Sequence, residues 1–148
     1  MDKYLASTVN TSQGDYRVIV GKSILSELGK ELEKANLKNK KCFFISDKSM
    51  FPKQTKKVHE VLESQGFITN SLSLEFSEEL KNYNTVSKIY NWLAEMKVER
   101  KDFLISMGGG VAGDIIGFAA STYLRGIPFV QIPTTLASMT DAAIGGKV

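Results

Sequence analysis

A glycine-rich turn between an apolar run and a helical run constrains the fold of this chain more than any other feature. The turn spans residues 108–114, follows a predicted buried strand at 103–107 and precedes a helical run at 115–123. Glycines at positions 108, 110 and 113 satisfy the pattern G-x-G-x-x-G, in which main-chain amides approach a phosphate without an intervening Cβ atom. A strand–turn–helix of this kind favours an α/β fold, in which ligands bind at the carboxyl ends of parallel strands.

Two features separate this turn from the best-known phosphate-binding motifs. A standard dinucleotide site has an acidic residue about 20 positions further on, but no Asp or Glu lies between Asp114 and Asp141. The Lys-Ser/Thr pair of a P-loop is also missing. The turn alone therefore leaves open a tight strand-to-helix connection that binds no ligand.

Strands and helices alternate along the rest of the chain. Residues 5–10 and 16–20 predict the two strands of a hairpin, joined by a turn-rich linker. A helix is predicted to begin at Ser23, a good N-cap residue, and two more helices are predicted at 54–65 and 85–98. Further strands are predicted at 42–45, 67–74 and 129–132. The alternation predicts an α/β, Rossmann-like open sheet, largely parallel and flanked by helices, with an amino-terminal β-hairpin.

Composition narrows the classes of function. With 148 residues, 43% of them hydrophobic, the chain has the size of one domain with one sizeable core. A net charge of +3 does not indicate a nucleic-acid partner, and no apolar run approaches the ~18 residues of a membrane span. The amino terminus lacks an apolar signal core, so we expect a cytoplasmic protein.

Cysteine and histidine are too scarce in this sequence to form a disulfide or a zinc site. The single cysteine, Cys42, excludes an internal disulfide, and one cysteine with one histidine leaves little for a zinc site of nitrogen and sulfur ligands. No metal ligand is therefore assigned within this chain. The histidine, His59, follows Lys56 and Lys57 on a predicted helix, where we expect it to lie on a solvated face.

Residues 108–147, GGGVAGDIIGFAASTYLRGIPFVQIPTTLASMTDAAIGGK, resemble the 3-dehydroquinate synthase family and, more broadly, the sugar-phosphate cyclases. The glycine turn with its Asp, then GFAAS, YLRG, PTTL and D-x-x-IGGK, follow in the order and spacing of the family. Upstream, Glu78-Glu79-Leu80-Lys81 resembles the family motif GEE-x-K, with Ser77 where the family usually has Gly. Asp47 resembles its acidic position on the adenosine side of the cofactor.

The resemblance implies an NAD-dependent lyase of the shikimate pathway, which leads to chorismate and the aromatic amino acids. Its reaction converts 3-deoxy-D-arabino-heptulosonate 7-phosphate to 3-dehydroquinate and phosphate, with NAD regenerated in each turnover and a divalent metal (Zn or Co) as Lewis acid. Family members carry the metal ligands in a second, helical domain. We therefore expect residues 1–148 to be the NAD-binding amino-terminal domain of a longer homodimeric enzyme, inactive by itself.

Three alternatives stay open on the sequence. One is a sister cyclase of the 2-deoxy-scyllo-inosose or 2-epi-5-epi-valiolone synthase type, which shares most of these motifs. Another is a metal-dependent alcohol dehydrogenase domain of the glycerol dehydrogenase type, which shares the glycine turn but generally lacks D-x-x-IGGK in this form. The third is a self-contained NAD-binding module without catalysis.

The family match also assigns roles to individual residues. Asp141 and Lys147 are matched to substrate contacts, and Arg125 is matched to an arginine that reaches the substrate phosphate of a neighbouring subunit. The cofactor-binding residues implied by the match are Asp47, Glu78, Lys81, Gly109, Gly110, Val111, Ala112, Gly113, Asp114, Thr134, Thr135 and Lys147.

Each of these side chains also has a purely structural explanation. Thr134 and Thr135 stand where a helix is predicted to begin and could serve only as its cap. Glu78 and Lys81 are three residues apart and could form a surface ion pair, as could Asp141 with Lys147. Arg125 is placed as a helix carboxyl-terminal arginine followed by a glycine cap, which accounts for its position equally well.

Overall fold

The structure is a computed structural model, and it describes residues 5–12, 14–49 and 52–145. A hairpin of β1 (Leu5–Thr11) and β2 (Gly14–Val20) comes first and forms a two-stranded antiparallel sheet of its own. The remaining strands are β3 (Lys41–Asp47), β4 (Ile68–Leu74), β5 (Phe103–Gly108) and β6 (Phe129–Pro133). They form one parallel sheet in the order β4-β3-β5-β6, which confirms the predicted fold class and the hairpin.

Four α-helices connect the strands. They are α1 (Leu28–Lys34), α2 (Pro52–Ser64), α3 (Tyr83–Glu95) and α4 (Gly110–Thr122). Short 3₁₀ turns occupy Ile24–Glu27, Glu78–Leu80 and Tyr123–Arg125, and a π-helical turn occupies Ser138–Ala142. Among the described residues, no helix is long and apolar enough to cross a membrane.

Buried side chains on the two faces of the sheet form two separate clusters. Successive residues of a strand point to opposite faces, so Phe43 and Ile45 join the cluster under α3 and α4, whereas Phe44 joins the cluster under α1 and α2. Trp92 packs edge-on against Phe43, with ring centroids 5.8 Å apart, as expected for a packing role. Burial raises the pKa of the Cys42 thiol to about 12, so the thiol stays protonated within the core.

Helix α4 carries the most continuous apolar surface. Its side chains at Ile115, Ile116, Ala119 and Ala120 are buried against the sheet and α3. The remaining buried positions of α4 are Ala112, Gly113 and Gly117, which are small enough to let the helix lie close to β5 and β6. The amino terminus of α4 therefore lies at the carboxyl end of β5, within the glycine turn.

Three local predictions were wrong. Ser23 does not cap a helix with its side chain, since its φ of 57° is left-handed and its carbonyl accepts hydrogen bonds from Ser26. The helix predicted from residue 115 begins five residues earlier, at Gly110. His59 does not lie on a solvated face: it is half-buried, because its ring packs edge-on against Phe44 with centroids 4.9 Å apart.

Candidate functional site

The carboxyl ends of the four parallel strands meet at one edge of the sheet, and the glycine turn lies at its centre. Thr134 donates its backbone N–H to the carbonyl of Gly108 over 3.0 Å, which joins the end of β6 to the end of β5. A Cβ at Gly108 would lie 3.6 Å from the Cβ of Asp47, at the end of β3. The structure therefore brings together Asp47, the glycine turn and the threonine pair at one edge of the sheet.

Helix α4 begins within the turn and directs its free amides to this edge. Gly109 is the N-cap residue, in an extended conformation, and its carbonyl accepts from the backbone N–H of Gly113 over 3.1 Å. The first N–H groups of a helix have no intrahelical acceptor, and the helix dipole adds about half a positive charge there. A 13-residue helix beginning at bare glycine backbone therefore offers a site for an anionic group such as a phosphate.

The glycines of the turn differ in what a side chain at each position would contact. A Cβ at Gly108 would lie 2.5 Å from the Cβ of Ala112, so packing excludes a side chain there, whereas a Cβ at Gly113 would lie 1.9 Å from Nε2 of Gln131 and would require that flexible side chain to move. At Gly109 the φ is −76°, and a Cβ would meet the nearest atom, Cγ2 of Thr135, at an ordinary 3.4 Å. The fold itself admits alanine at 109. Without a side chain at 109, the backbone beside Thr135 is left bare, which suits the close approach of a ligand.

An ion pair joins the loop before α3 to the first turn of α4. The Lys81 ammonium donates to Asp114 Oδ2 over 2.8 Å, and this bond raises the pKa of Lys81 above its ordinary value. Glu78 contributes a weaker attraction to the same ammonium. The hydrogen-bonded partner of Lys81 is thus Asp114, not the Glu78 three residues away. This contact joins two predicted site residues, Lys81 and Asp114, and the carboxylate of a third, Glu78, attracts the same ammonium.

The threonine pair leads into the π-helical turn that carries Asp141. Ser138 is fully buried, and its N–H donates to Thr135 Oγ1 over 3.3 Å while Thr135 N–H donates to Ser138 Oγ over 3.2 Å. This reciprocal bonding gives Thr135 the capping role that its sequence position allowed. Asp141 is exposed in the same turn, and the neighbouring Ala142 packs against Gly110, where a Cβ would lie 3.3 Å away.

Asp47 holds one carboxylate oxygen in a fixed position. Its Oδ1 accepts from both the N–H and the hydroxyl of Ser49, over 2.9 and 2.8 Å. A polar cleft of about 390 Å³ opens beside it, lined in part by Ser46, His59 and Ser73. The carboxylate is therefore oriented at the strand end, beside space that polar ligand groups can enter.

Other predicted residues do not join this edge. Arg125 follows the carboxyl end of α4, about 20 Å along the helix from the glycine turn at 1.5 Å per residue. Gly126, with φ 105°, donates its N–H to Tyr123, consistent with the expected glycine cap. Lys147 lies outside the described residues. Within residues 5–12, 14–49 and 52–145, no group of three or more His, Cys, Asp or Glu side chains could hold a metal ion.

Sequence reasoning missed two residues that touch the site. Gln131 places its amide against Gly113, and a polar residue in the otherwise apolar run FVQIP was a signal that could have identified it. Tyr16 accepts a hydrogen bond from the N–H of Gly145 over 2.7 Å. No local pattern in the hairpin signals that contact, because its partner lies 129 residues away.

The parallel sheet and the bare-backbone helix start at its carboxyl edge define an α/β domain with a Rossmann-like fold. Residues 71–148 match the family described as 3-dehydroquinate synthase N-terminal. A 3-dehydroquinate synthase from Clostridium botulinum is 41% identical over 140 residues, covering 95% of this chain and 40% of the relative. The chain therefore belongs to the 3-dehydroquinate synthase family, and it spans about 40% of the length of its curated relatives.

Solved structures support the same fold. A crystal structure of 2-deoxy-scyllo-inosose synthase, complexed with carbaglucose-6-phosphate, NAD⁺ and Co²⁺, superposes with a TM-score of 0.83 at 20% identity. It covers 93% of this chain and 37% of its own. A 2-epi-5-epi-valiolone synthase from Streptomyces hygroscopicus, with NAD⁺ and Zn²⁺ bound, superposes with a TM-score of 0.70 at 29% identity, over 80% of this chain and 33% of its own.

Proposed function

We propose that this chain is the NAD-binding amino-terminal part of an enzyme that converts 3-deoxy-D-arabino-heptulosonate 7-phosphate to 3-dehydroquinate and phosphate. The enzyme is a carbon–oxygen lyase of the shikimate pathway, located in the cytoplasm and active as a homodimer. The observation that carries the proposal is the backbone at Gly109, which bears no side chain and lies beside Thr135 and the amino terminus of α4. Nothing in the fold requires glycine there, whereas a diphosphate lying against the backbone does.

Each residue of this edge is assigned to one part of the cofactor. The free amides of the turn, from Gly109 to Ala112, hold the diphosphate, with Gly113 completing the first turn of the helix, and Thr134 and Thr135 bind it from the neighbouring strand end. Asp47 accepts from the adenosine ribose hydroxyls with the oxygen that Ser49 leaves available. Glu78, Lys81 and Asp114 approach the nicotinamide half, and the Lys81–Asp114 ion pair holds the last two in a fixed geometry. Val111 and Ala112 contribute backbone.

In the proposed reaction, the residues of this chain mainly position the substrate and the cofactor. Bound NAD would supply the hydride acceptor for one substrate alcohol and the hydride donor later in the same turnover, while the residues of this chain would hold it in place. Asp141 accepts hydrogen bonds from substrate hydroxyls, and Lys147 contacts the substrate and the cofactor. Arg125, distant from the glycine turn of its own chain, reaches the substrate phosphate of the second subunit, where its planar guanidinium matches phosphate oxygens.

We propose a divalent metal only for the longer enzyme, not for this chain by itself. The described residues of this chain do not form a metal-ligand set, so they do not fit a metal by themselves. No step assigned to the residues above passes through one. We accordingly expect the 148-residue chain to bind NAD without turning over substrate.

Identity favours the 3-dehydroquinate synthase reaction over the related ones. The curated 3-dehydroquinate synthases are 36–42% identical to this chain, whereas the two solved cyclases with other products are 20% and 29% identical. An NADH-dependent butanol dehydrogenase from Thermotoga maritima shares the fold at 17% identity. The sister cyclases and the alcohol dehydrogenases therefore rank below the proposed activity.

Titration calorimetry with NAD tests the proposal through Gly109→Ala. A methyl group at 109 fits the fold but occupies the surface where the diphosphate would lie, so we expect binding at least about tenfold weaker with an unchanged melting temperature. Ser121→Ala, at the far end of the same helix, is the matched control and should bind like the unmodified chain. Absence of binding by the folded chain at millimolar NAD would contradict the proposal, as would equal binding by Gly109→Ala.

A further inference from the structure

The backbone amides of the threonine pair at the end of β6 are both bonded within the fold. Thr134 donates its N–H to the carbonyl of Gly108 over 3.0 Å, and Thr135 donates its N–H to Oγ of Ser138 over 3.2 Å. Each backbone N–H carries a single proton. Any hydrogen bond that the pair donates to a ligand must therefore come from a hydroxyl group.

The hydroxyl of Thr135 lies beside the bare backbone of the glycine turn. Thr135 is exposed, and its Oγ1 is 3.7 Å from the position that a Cβ at Gly109 would occupy. This is the surface against which the diphosphate is proposed to lie. The Thr135 hydroxyl can donate to a phosphate oxygen there only when its one proton is not held by another acceptor.

Ser138 is the residue that holds the Thr135 hydroxyl in the structure. It is fully buried, and its Oγ lies 2.9 Å from Thr135 Oγ1 and 2.9 Å from the carbonyl oxygen of Thr135. The Ser138 N–H also donates to Thr135 Oγ1 over 3.3 Å. Two contacts from one buried residue therefore fix the position of the Thr135 oxygen.

Two arrangements of the hydroxyl protons fit these oxygen positions. In the first, Thr135 donates to Ser138 Oγ while Ser138 donates to the Thr135 carbonyl. In the second, Ser138 donates to Thr135 Oγ1 and the Thr135 proton points outward. The Thr135 carbonyl keeps a partner in both, because the N–H of Met139 donates to it over 2.9 Å. The Thr135 proton can therefore turn outward by rotation of two hydroxyl groups, without movement of a heavy atom.

We infer that Ser138 is a positioning residue, which holds the Thr135 oxygen beside Gly109 and donates to it when the Thr135 proton turns to the cofactor diphosphate. The inference rests on the proposed function, which assigns the diphosphate to this edge. A hydroxyl that accepts a hydrogen bond becomes a stronger donor, so Ser138 strengthens the bond from Thr135 to a phosphate oxygen. Ser138 itself need not touch the cofactor.

Titration calorimetry with NAD tests the inference through Ser138→Ala and Thr135→Val, alone and together. Each single substitution should weaken NAD binding about three- to tenfold, the range that corresponds to one hydrogen bond. Because Ser138 acts through the Thr135 hydroxyl, the double variant should bind about as weakly as the weaker single variant. The matched control is Ser106→Ala, which removes a buried hydroxyl that has no hydrogen-bonding partner among the described residues. It should bind NAD like the unmodified chain.

An NMR measurement gives a readout that does not depend on the folding of Ser138→Ala. The Ser138 N–H is buried and bonded to Thr135 Oγ1, so we expect NAD to shift its amide resonance in the unmodified chain. In Thr135→Val, which changes an exposed side chain, NAD should leave that resonance in place. A shift of equal size in both proteins would overturn the inference.

The calorimetric outcomes separate the inference from the proposed function. If the unmodified chain binds no NAD, the proposed function fails and the inference fails with it. If the unmodified chain binds NAD and Ser138→Ala binds it equally well, the inference alone is overturned. A loss in the double variant equal to the product of the two single losses also overturns it, as does an equal loss in Ser106→Ala.

Discussion

At the scale of single residues, His59 shows how a hydrogen-bond chain fixes a ring. Thr69 donates its only hydroxyl proton to Glu63, so its oxygen accepts from Nδ1 of His59 at 3.1 Å. Nδ1 therefore carries the proton of the neutral ring, and Nε2 is buried without a partner in the described part of the chain. Burial lowers the pKa of His59, and the charge of Glu63 opposes that shift only in part.

This environment predicts a pH dependence of stability. A histidine with a lowered folded pKa binds fewer protons in the folded than in the unfolded chain, so its stabilising effect is present above the unfolded value of about 6.5 and is lost as the pH falls below it. We expect the free energy of unfolding in urea to drop by up to about 1 kcal/mol between pH 7.5 and 5.5. His59→Gln should show a smaller drop over the same interval. An equal drop in both proteins would rule out His59 as the cause.

The site residues differ in how far their surroundings could be foreseen. The edge that holds Asp47, Gly109 and Thr135 follows from three strand ends, because the carboxyl ends of parallel strands must meet. The partner of Lys81 could not be foreseen in the same way. Asp114 is 33 residues away, and only the packing of α4 on the sheet brings its carboxylate to Lys81.

At the scale of elements, the contact between α4 and β6 depends on the absence of a side chain at Gly113. The amide of Gln131 occupies the space beside it, and a Cβ there would lie 1.9 Å from Nε2 and 3.1 Å from Cδ. Gly113→Ala must therefore displace Gln131. We expect a loss of at most about 1 kcal/mol in the free energy of unfolding, measured by urea denaturation, because the displaced atoms end a flexible side chain and alanine has the higher helix propensity.

A double-mutant cycle identifies the source of that loss. When Gln131→Ala has already emptied the space, adding Gly113→Ala should cost clearly less than it does in the unmodified chain. The higher helix propensity of alanine contributes equally in both backgrounds and therefore cancels in this comparison. Equal costs in the two backgrounds would show that Gln131 is not the obstacle.

The same helix shows where sequence patterns stop being informative. Apolar periodicity predicts α4 only from residue 115, because glycine is a poor helix former and the first turn contains Gly110 and Gly113. Tertiary contacts with Gln131 and Ala142 favour helix in that turn despite its composition. By contrast, the strands of the parallel sheet were predicted well, since continuous apolar runs are typical of strands buried on both faces.

At the scale of the whole molecule, the hairpin and the parallel sheet differ in how they are held. Residues of β3 and β5 are almost entirely buried between two layers of helices, whereas β1 and β2 pair only with each other. Isolated two-stranded hairpins are marginally stable in water. The hairpin should therefore open without unfolding of the sheet.

Hydrogen–deuterium exchange of the unmodified chain measures this difference. We expect backbone amides of β1 and β2 to exchange at least about tenfold faster than those of β3 and β5, because local opening of the hairpin exposes them while the sheet stays closed. Comparable protection in both sets would mean that the hairpin and the sheet unfold as one unit.

The strand order β4-β3-β5-β6 has a consequence for how the chain is made. Among the strands of the parallel sheet, β3 and β4 are synthesised first and can pair at once. β5 then pairs with the free edge of β3, and its own second edge stays unpaired until β6 has been synthesised. Until residues 129–133 have left the ribosome, β5 exposes a row of unpaired amides and carbonyls along one edge, although it is an inner strand of the completed order. The nascent domain is therefore most exposed to aggregation in the interval between the emergence of β5 and the emergence of β6.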